Sequence, residues 1–489
     1  MNRKTRVSRC LLVTGILCLC LTLGTTCKKK DLPPNAPSIP SGPTSGRKGD
    51  SLRFSTVAED PDGDSVAVRF DWGDSTMSDW SALVPSRDSV VMTHAWQRLG
   101  SHSITAQARD EKETASVWSG GHQLTVASFS VTFGGTGDDV GNSVQQTSDG
   151  GYIIAGYTTS KGAGGADVWL IKTDESGNEA WDRTFGGAGD DYGYSVQQTL
   201  DGGYIIAGST NSYGVGYDDV WLIKTDASGG QVWERTFGAL YEDEGHSVQQ
   251  TADGGYIIAG HTDSYNSRPG GMWLVKADSL GNEVWDKTFG RAGTDAGNSV
   301  QQTSDGGYVV AGSSVRVPGT DAIGLLKTDA SGNKTWDTTF GGAGWAWGYT
   351  VHQTSDGGYI VVGATVLNGG LNEDVYLIKT DAAGNKVWDK TFGGVYGELG
   401  ESVLAMPDGG YIIAGCTASK GAGGADVWLI KTDESGNEVW DRTLGGENND
   451  DGHSVQQTSD GGYVITGRTA APFSANADVL LIKTDADGN

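Results

Sequence analysis

Two tryptophans stand where equivalent segments of this chain carry carboxylates. Trp345 and Trp347 lie in the segment Gly-Trp-Ala-Trp-Gly at 344–348, whereas equivalent segments read Gly-Asp-Asp-Val or Gly-Asp-Asp-Tyr. Aromatic faces beside carboxylates can stack on sugar rings or hold apolar side chains. Packing of both tryptophans over a neighbouring element is the alternative. We expect these segments to be exposed loops that lead into each repeat, and the equivalent loops add three more candidate aromatic residues, Tyr192, Tyr241 and Tyr396.

A second candidate set occupies one variable position just before a recurring Ser-Val-Gln-Gln strand. If that strand is innermost, the variable side chains rim a central channel, where polar variety suits a ligand. Solvated residues at strand starts would explain them equally well. We take His246, His453 and Glu401 as candidate binding residues from this set. The full set is Asn142, Tyr194, His246, Asn298, Tyr349, Glu401 and His453.

We predict no metal site and no cofactor, with calcium as the one alternative. His246 and His453 belong to the third and seventh repeats, too far apart to share a zinc ion at about 2 Å. Calcium could be held by paired carboxylates before the first strands. Neighbouring side chains on a strand point opposite ways, however, which favours a solvated acidic surface. These carboxylates are Asp138, Asp139, Asp190, Asp191, Glu242, Asp243, Asp450 and Asp451.

Charge and motif content restrict the function further. The net charge of −26 argues against nucleic acid and anionic lipid as partners. The sequence lacks a Gly-x-Ser-x-Gly elbow, zinc-ligand spacing and a phosphate-binding loop followed by a helix. We therefore predict no catalytic residue. A polysaccharide hydrolase or lyase whose catalytic carboxylates come from separate repeats is the alternative.

A regular repeat must position all these residues. The motif Phe-Gly recurs at Phe133, Phe185, Phe237 and Phe289 with a spacing of 52 residues. Each repeat contains four short apolar or alternating runs, separated by turns such as Asp-Gly-Gly at 201–203. Four strands at this period are typical of a β-propeller blade.

The strand count predicts how the array closes. The Asp-Gly-Gly turn and the lysine of the third strand each occur seven times, but the fourth-strand tryptophan occurs only six times. Phe129 occupies the equivalent position in the run at 129–133, before the first full repeat. We predict an all-β chain with a seven-bladed propeller at 129–489, closed by strand 129–133 in the last blade. A chain that continues past Asn489 is the alternative.

The N-terminus is typical of an exported lipoprotein. Basic residues precede a short apolar run, and Leu-Gly-Thr-Thr-Cys at 23–27 resembles a bacterial lipoprotein cleavage site. We predict a signal peptide at 1–27, lipidation of Cys27 and a protein anchored in the bacterial envelope, at the outer membrane or cell surface. Residues 28–45 hold five of the chain's eleven prolines, which favours an extended linker. Cys416 is expected to be a half-buried thiol.

Residues 46–126 fall outside the repeat and alternate like the strands of a small β-sandwich. Asp-Pro-Asp-Gly-Asp at 60–64, Phe-Asp-Trp-Gly-Asp at 70–74 and His-Ala-Trp at 94–96 resemble the PKD family of immunoglobulin-like domains. That resemblance implies a spacer or adhesion module of an extracellular protein. Asp60, Asp62 and Asp64 have the spacing of the first ligands of an EF-hand calcium loop. The later positions of that loop are not matched, which favours an acidic turn.

The repeat consensus, with Asp-Gly-Gly-Tyr-Ile-Ile-Ala-Gly and Asp-Val-Trp-Leu-Ile-Lys-Thr-Asp, resembles a propeller-type repeat of bacterial and archaeal envelope proteins. The resemblance implies a fold and a location, and it assigns no catalytic residue. We predict a monomeric, non-catalytic binding protein for a glycan or a surface protein. It would reach a membrane only through its lipid anchor. A purely structural surface module is the remaining alternative.

Overall fold

A computed structural model describes residues 31–489 except 44, 48, 50, 98, 99, 128, 265–269, 291–294, 318, 319, 342, 343, 367–371, 423, 473 and 475. The described chain consists of strands, turns and loops without a helix, which confirms the predicted all-β class. Two compact units are present. The first includes residues 31–41, Ser55–Val91 and Ile104–His122, and the second Gly42–Phe54, Met92–Ser103 and Gln123–Asn489. The predicted signal peptide and Cys27 lie outside the described residues.

Six strands precede the repeats: β1 Ser45–Arg47, β2 Ser51–Val57, β3 Val66–Asp71, β4 Ser89–Ala95, β5 Gly100–Asp110 and β6 His122–Ala127. In the first unit, β3 pairs antiparallel with the second half of β5. In the second unit, β1 pairs parallel with β6. The segment expected to be a linker is partly built into the first unit. The amide of Asn35 donates to the Glu59 carbonyl (2.9 Å) and that of Ser38 to the Val57 carbonyl (2.8 Å).

The repeats form seven four-stranded antiparallel sheets within the described chain. Sheet 1 contains β8 Asp139–Gln146, β9 Tyr152–Thr158, β10 Asp167–Thr173 and β11 Glu179–Phe185. Sheet 2 contains β12 Asp191–Gln198, β13 Tyr204–Thr210, β14 Asp219–Thr225 and β15 Gln231–Phe237. Sheet 3 contains β16 Asp243–Gln250, β17 Tyr256–Thr262, β18 Gly271–Ala277 and β19 Glu283–Phe289.

Sheet 4 contains β20 Ala296–Gln302, β21 Tyr308–Val317, β22 Thr320–Thr328 and β23 Lys334–Phe340. Sheet 5 contains β24 Ala346–Gln353, β25 Tyr359–Thr365, β26 Asp374–Thr380 and β27 Lys386–Phe392. Sheet 6 contains β28 Glu398–Ala405, β29 Tyr411–Thr417, β30 Asp426–Thr432 and β31 Glu438–Leu444. Sheet 7 contains β32 Asn449–Gln457, β33 Tyr463–Ala470, β34 Asp478–Thr484 and, from earlier in the chain, β7 Phe129–Phe133.

Strand β7 takes the place that the strand count predicted for it. It pairs antiparallel with β34, with Phe129 opposite Lys483 and Phe133 opposite Val479. Phe129 is buried and its ring lies 6.0 Å from that of Tyr152 in sheet 1. The matching contact between sheets 1 and 2 joins Trp181 and Tyr204, also at 6.0 Å. Phe129 therefore substitutes for the missing seventh tryptophan.

Apolar cores lie between neighbouring sheets, because the middle strands carry apolar residues on both faces. All seven residues of β13 and of β14 are buried. One core joins Ile153 and Leu170 of sheet 1 to Ile206 and Trp221 of sheet 2. Another joins Phe129, Val464 and Leu481 of sheet 7 to residues of sheet 1, including Ile154 and Trp169. Sheet 7 thus packs on sheet 1 as sheet 1 packs on sheet 2.

The first strands are also linked by hydrogen bonds across the sheet junctions. The Ser143 hydroxyl of sheet 1 accepts the amide of Val196 in sheet 2 at 3.2 Å. The Ser454 hydroxyl of sheet 7 accepts the amide of Val144 in sheet 1 at 3.3 Å. The same bond therefore recurs where the last sheet meets the first.

Candidate binding sites

The seven sheets have two chemically different ends. We call the end with the Asp-Gly-Gly turns the turn end. The opposite end, which carries the loops between second and third strands and between sheets, is the loop end. At the turn end, Gly202 has φ of +84°, which favours glycine. A Cβ on Gly203 would lie 2.6 Å from Lys224 Nζ, so the second glycine makes room for this lysine.

Buried lysines bind the turns at the turn end. The Lys224 side chain is 5% exposed, and its Nζ lies 3.0 Å from Asp201 Oδ2 and 2.8 Å from the Thr225 carbonyl. Partial burial acts to raise the pKa of Asp201, but hydrogen bonds from Thr199 and Lys224 lower it to about 2. The same lysine–aspartate pair occurs in each sheet: Lys172–Asp149, Lys224–Asp201, Lys276–Asp253, Lys327–Asp305, Lys379–Asp356, Lys431–Asp408 and Lys483–Asp460.

One carboxylate of each adjacent pair at the loop end is buried without such a cation, which corrects the expectation of a solvated acidic surface for that member, whereas Asp190 and Glu242 are exposed. Asp191 has no exposed surface. It accepts hydrogen bonds from the Thr210 hydroxyl, the Ser212 hydroxyl (2.6 Å) and the Gly187 amide (2.9 Å). The hydroxyl donors come 19 and 21 residues later in the chain. Asp139, Asp243 and Asp450 are buried in the same way.

A second carboxylate, buried or half-buried, meets the first at five of the sheet junctions. A Cβ on Gly238 would lie 2.0 Å from Asp219 Oδ1 and 2.7 Å from Asp243 Oδ2, so the two carboxylates converge on this glycine. Burial, with Asp243 nearby, raises the pKa of Asp219 to about 6. This convergence explains why glycine follows Phe237 in the repeat motif. The pKa is also raised in the equivalent carboxyls Asp167, Asp374, Asp426 and Asp478, each beside its own acidic neighbour.

The variable position before the first strands faces one cavity. This cavity has a volume of about 570 Å³, and all seven side chains of the predicted set line it, including His246, His453 and Glu401. His246 Nε2 lies 3.0 Å from Glu244 Oε2, and the hydrogen bond from His246 lowers the pKa of Glu244. His453 Nδ1 lies 3.2 Å from the Gly141 carbonyl. The structure therefore brings this part of the candidate set together.

Glu401 is the acidic member of the cavity wall. Burial raises the pKa of its carboxyl above the ordinary range of glutamate, although His453 acts to lower it. Burial also raises the pKa of the neighbouring Tyr349 to about 12. Cys416, expected to be half-buried, is a buried free thiol in β29, and burial raises its pKa. The cavity thus holds a carboxyl that stays protonated to higher pH than a surface glutamate.

Tyr192 does not lie in an exposed loop, contrary to the sequence interpretation. It belongs to β12 and is half-buried. Its ring meets that of Tyr157 edge to face at 5.0 Å and stacks near that of Tyr194 at 6.2 Å. Tyr194 in turn contacts His246 at 5.4 Å between ring centroids. Tyr192 therefore supports the wall of the central cavity through Tyr194.

Trp345 and Trp347 lie together at the loop end of sheet 5. Trp345 is 47% exposed, and the ring centroids are 6.1 Å apart with 40° between the planes. Trp347 is half-buried in β24, and its Nε1 donates to Asp321 Oδ2 at 3.2 Å. One ring is therefore held in place while the other stays open to solvent.

The two remaining candidates lie on separate loops of the same end. Tyr396 is 62% exposed and Tyr241 is 38% exposed. Their backbone amides are fixed by serine hydroxyls, Ser419 at 2.9 Å and Ser264 at 3.1 Å. Large exposed side chains recur on neighbouring loops of this end: Tyr213, Val215, Tyr217, Leu240 and Val395. The loop end thus offers several apolar and aromatic contacts.

The described residues offer neither a cluster of metal ligands nor a membrane-spanning helix. Those residues contain no group of three or more His, Cys, Asp or Glu side chains arranged to hold a metal ion. They also contain no helix with the length and hydropathy required to span a bilayer. At the N-terminal side, Asp60 Oδ1 accepts the amides of Asp62 and Asp64 at 2.8 and 3.2 Å, as expected for an acidic turn.

Comparison with known families identifies the domain at the N-terminal side of the repeats. Residues 38–119 match the PKD domain family. These residues form a PKD domain. A PKD domain indicates an extracellular module of the adhesion type. A solved PKD domain of an M14-like peptidase from a Thermoplasmatales archaeon shares 30% identity; the match covers 20% of this chain and 98% of that one, with a TM-score of 0.19.

Similarity beyond the PKD domain is weaker. The regulatory protein FlaEY of Caulobacter vibrioides is 24% identical over 220 residues, which are 38% of this chain and 23% of that protein's length. The crystal structure of Sqt1 from Chaetomium thermophilum is 13% identical, with coverage of 71% of this chain and 86% of that one and a TM-score of 0.41. No activity transfers from either protein at these levels of similarity.

Proposed function

We propose that residues 129–489 form a closed seven-bladed β-propeller and that the protein acts as an envelope-anchored binding module. The strand β7 pairs with β34, and the last sheet packs on the first through an apolar core. Both observations support closure, which removes exposed sheet edges. The PKD domain and the lipoprotein-type signal with Cys27 support an exported, lipid-anchored location.

The propeller binds a glycan or a surface protein at its loop end. The observation that carries this proposal is the exposed Trp345 ring beside the fixed Trp347 ring. Aromatic rings held in place lose little conformational freedom on binding, and they offer large faces to sugars or apolar side chains. The exposed Tyr396 and Tyr241 on neighbouring loops extend the same surface. The residues repeated in every sheet are occupied in holding the fold.

A glycan array probed with the purified protein and its variants tests this function. Trp345→Ala should weaken binding at least about tenfold, because a central aromatic side chain usually dominates such a contact. Leu200→Ala is the matched control, since Leu200 is 91% exposed but lies at the turn end. Equal binding by wild type and Trp345→Ala would contradict the assignment.

A second candidate function rests on Glu401. A buried carboxyl with a raised pKa beside His453 suits a general acid, so the central cavity is compatible with a polysaccharide hydrolase or lyase. The same array distinguishes the two functions. Release of fragments from a bound polysaccharide favours the enzyme, whereas retention without cleavage favours the binding module.

A further inference from the structure

The turn end of sheet 6 breaks a side-chain pattern that links the other sheets. At the junction of sheets 7 and 1, Gln146 Oε1 accepts the Ser459 amide at 2.8 Å, and Gln146 Nε2 donates to the Gly150 carbonyl at 3.2 Å. The carboxamide thus fills the gap between two turns. The bond to the preceding turn recurs from Gln198, Gln250, Gln302 and Gln353.

Sheet 6 lacks this carboxamide. Its first strand ends in Leu404-Ala405, followed by Met406-Pro407, where sheet 2 has Gln197-Gln198-Thr199-Leu200. Ala405 has no side-chain amide, so it cannot accept the amide of Ser355 in sheet 5. Pro407 has no N–H, so it cannot make the corresponding bond to sheet 7. Both interruptions fall in one short segment.

A cavity opens where the carboxamide is missing. At the junction of sheets 5 and 6 its volume is about 520 Å³, and Ser355, Ala405, Gly409, Trp388 and Tyr411 are among the residues that line it. At the junction of sheets 7 and 1, the equivalent cavity contains Gln146 in its wall and measures about 60 Å³. The two sites share the same lysine, aspartate, serine, glycine, tyrosine and glutamate positions.

We propose that the cavity between sheets 5 and 6 binds an N-acetylated hexosamine through its acetamido group. That group has the polar atoms of the missing glutamine, a carbonyl oxygen for the Ser355 amide and an N–H for the Gly409 carbonyl. The half-buried Trp388 ring, 5.8 Å from the buried Tyr411 ring and inclined at 61° to it, supplies aromatic surface for the sugar ring. Asp356, whose side chain is 63% exposed, and Glu434 line the same cavity and can accept hydrogen bonds from hydroxyl groups.

This site is independent of the loop-end site, because it lies at the opposite end of the sheets. The test follows the methyl signal of Met406, which lines the cavity, in NMR spectra of protein labelled with ¹³C-methyl methionine. The chain has five methionines, so Met406→Leu assigns the signal. N-acetylglucosamine should shift it, and glucose, which lacks the acetamido group, should bind at least about tenfold more weakly.

Ala405→Gln restores the side chain that ends the other six first strands, so it is expected to fold. The new carboxamide should occupy the acetamido position and weaken N-acetylglucosamine binding by about tenfold or more, with an unchanged urea unfolding midpoint. The comparison of the two sugars on the unaltered protein does not depend on this variant. Equal shifts with both sugars would overturn the proposal, as would unweakened binding by Ala405→Gln.

Discussion

The turn end and the loop end of the seven sheets hold carboxylates in opposite ways. At the turn end each aspartate, such as Asp201, pairs with a buried or half-buried lysine, and the pKa of Asp201 falls to about 2. At the loop end Asp219 faces Asp243 without a cation, and its pKa rises to about 6. The first arrangement stabilises the charged form and the second disfavours it. The ion pairs of the turn end therefore stabilise the sheets, whereas the carboxylates of the loop end can be replaced by other residues.

Natural variation within the chain supports this contrast. Sheet 3 has Gly271 where sheet 2 has Asp219, and sheet 5 has Ala346 where sheet 2 has Asp191. The junction of sheets 3 and 4 thus lacks one carboxylate of the pair, and the junction of sheets 4 and 5, where Ala322 takes the position of Asp219, lacks both. The turn-end lysine and its aspartate are present in all seven sheets. Loop-end positions are replaced without loss of the sheet, and turn-end pairs are retained.

The largest effect is expected from breaking a turn-end pair. Lys224→Met keeps the side-chain volume but leaves Asp201 and the Thr225 carbonyl without the ammonium group. Its free energy of unfolding, measured with urea, should fall by about 1–3 kcal/mol, mainly because the buried Thr225 carbonyl loses its donor, whereas Asp201 is 65% exposed and stays solvated. The control Lys161→Met removes a lysine that is 40% exposed and pairs with Asp182, which should cost less than about 1 kcal/mol. Equal losses in the two variants would remove the distinction between the ends.

A smaller change of opposite sign is expected at the loop end. Asp219→Asn should raise the free energy of unfolding at pH 7 by about 1–2 kcal/mol, since the wild-type carboxylate must ionise beside Asp243. The raised pKa means that the wild type has its full stability below about pH 4 and loses it as pH rises through about 6. The difference between wild type and variant should therefore vanish in urea titrations at pH 4. A destabilised variant at pH 7 would contradict the assignment.

The smallest effect concerns the acid limit of the turn end. Because the pKa of Asp201 is lowered, its stabilising contribution is present above pH 3.8 and is lost as pH falls through about 2. Asp201→Asn should therefore lose less stability than wild type between pH 4 and pH 2. The carboxylate is 65% exposed and screened by solvent, so the difference should stay below about 1 kcal/mol and shrink in high salt. A larger loss of stability in Asp201→Asn than in wild type would contradict a stabilising pair between Lys224 and Asp201.

Spacing alone predicted most of the repeat architecture. The run Tyr-Ile-Ile-Ala-Gly at 204–208 and the glycine turn before it fix a strand and its start, because their local preferences agree. The strand at Phe129 was predictable because one member of a repeated set was missing. Both predictions follow from the period of the repeat and from the residue types at each position.

The carboxylate chemistry was not predictable in the same way. Asp191 looked solvated because its donors, Thr210 and Ser212, lie in the next strand and loop, and only pairing brings them together. Tyr192 looked like a loop residue because the strand β12 begins earlier than the sequence pattern suggests. Thr-x-Ser at the end of the second strand in four of the seven repeats was an available signal, but only the strand register shows which carboxylate it binds.

The most direct test measures stability and affinity in Lys224→Met and Trp345→Ala side by side. The measurements are the urea midpoint and the dissociation constant for the glycan selected on the array. We predict that Lys224→Met lowers the midpoint but binds as wild type under conditions where it is folded. Trp345→Ala should keep the wild-type midpoint and lose affinity. Normal binding by Trp345→Ala would contradict a binding site at the loop end. An unchanged urea midpoint in Lys224→Met would contradict a stabilising role for the turn-end pairs.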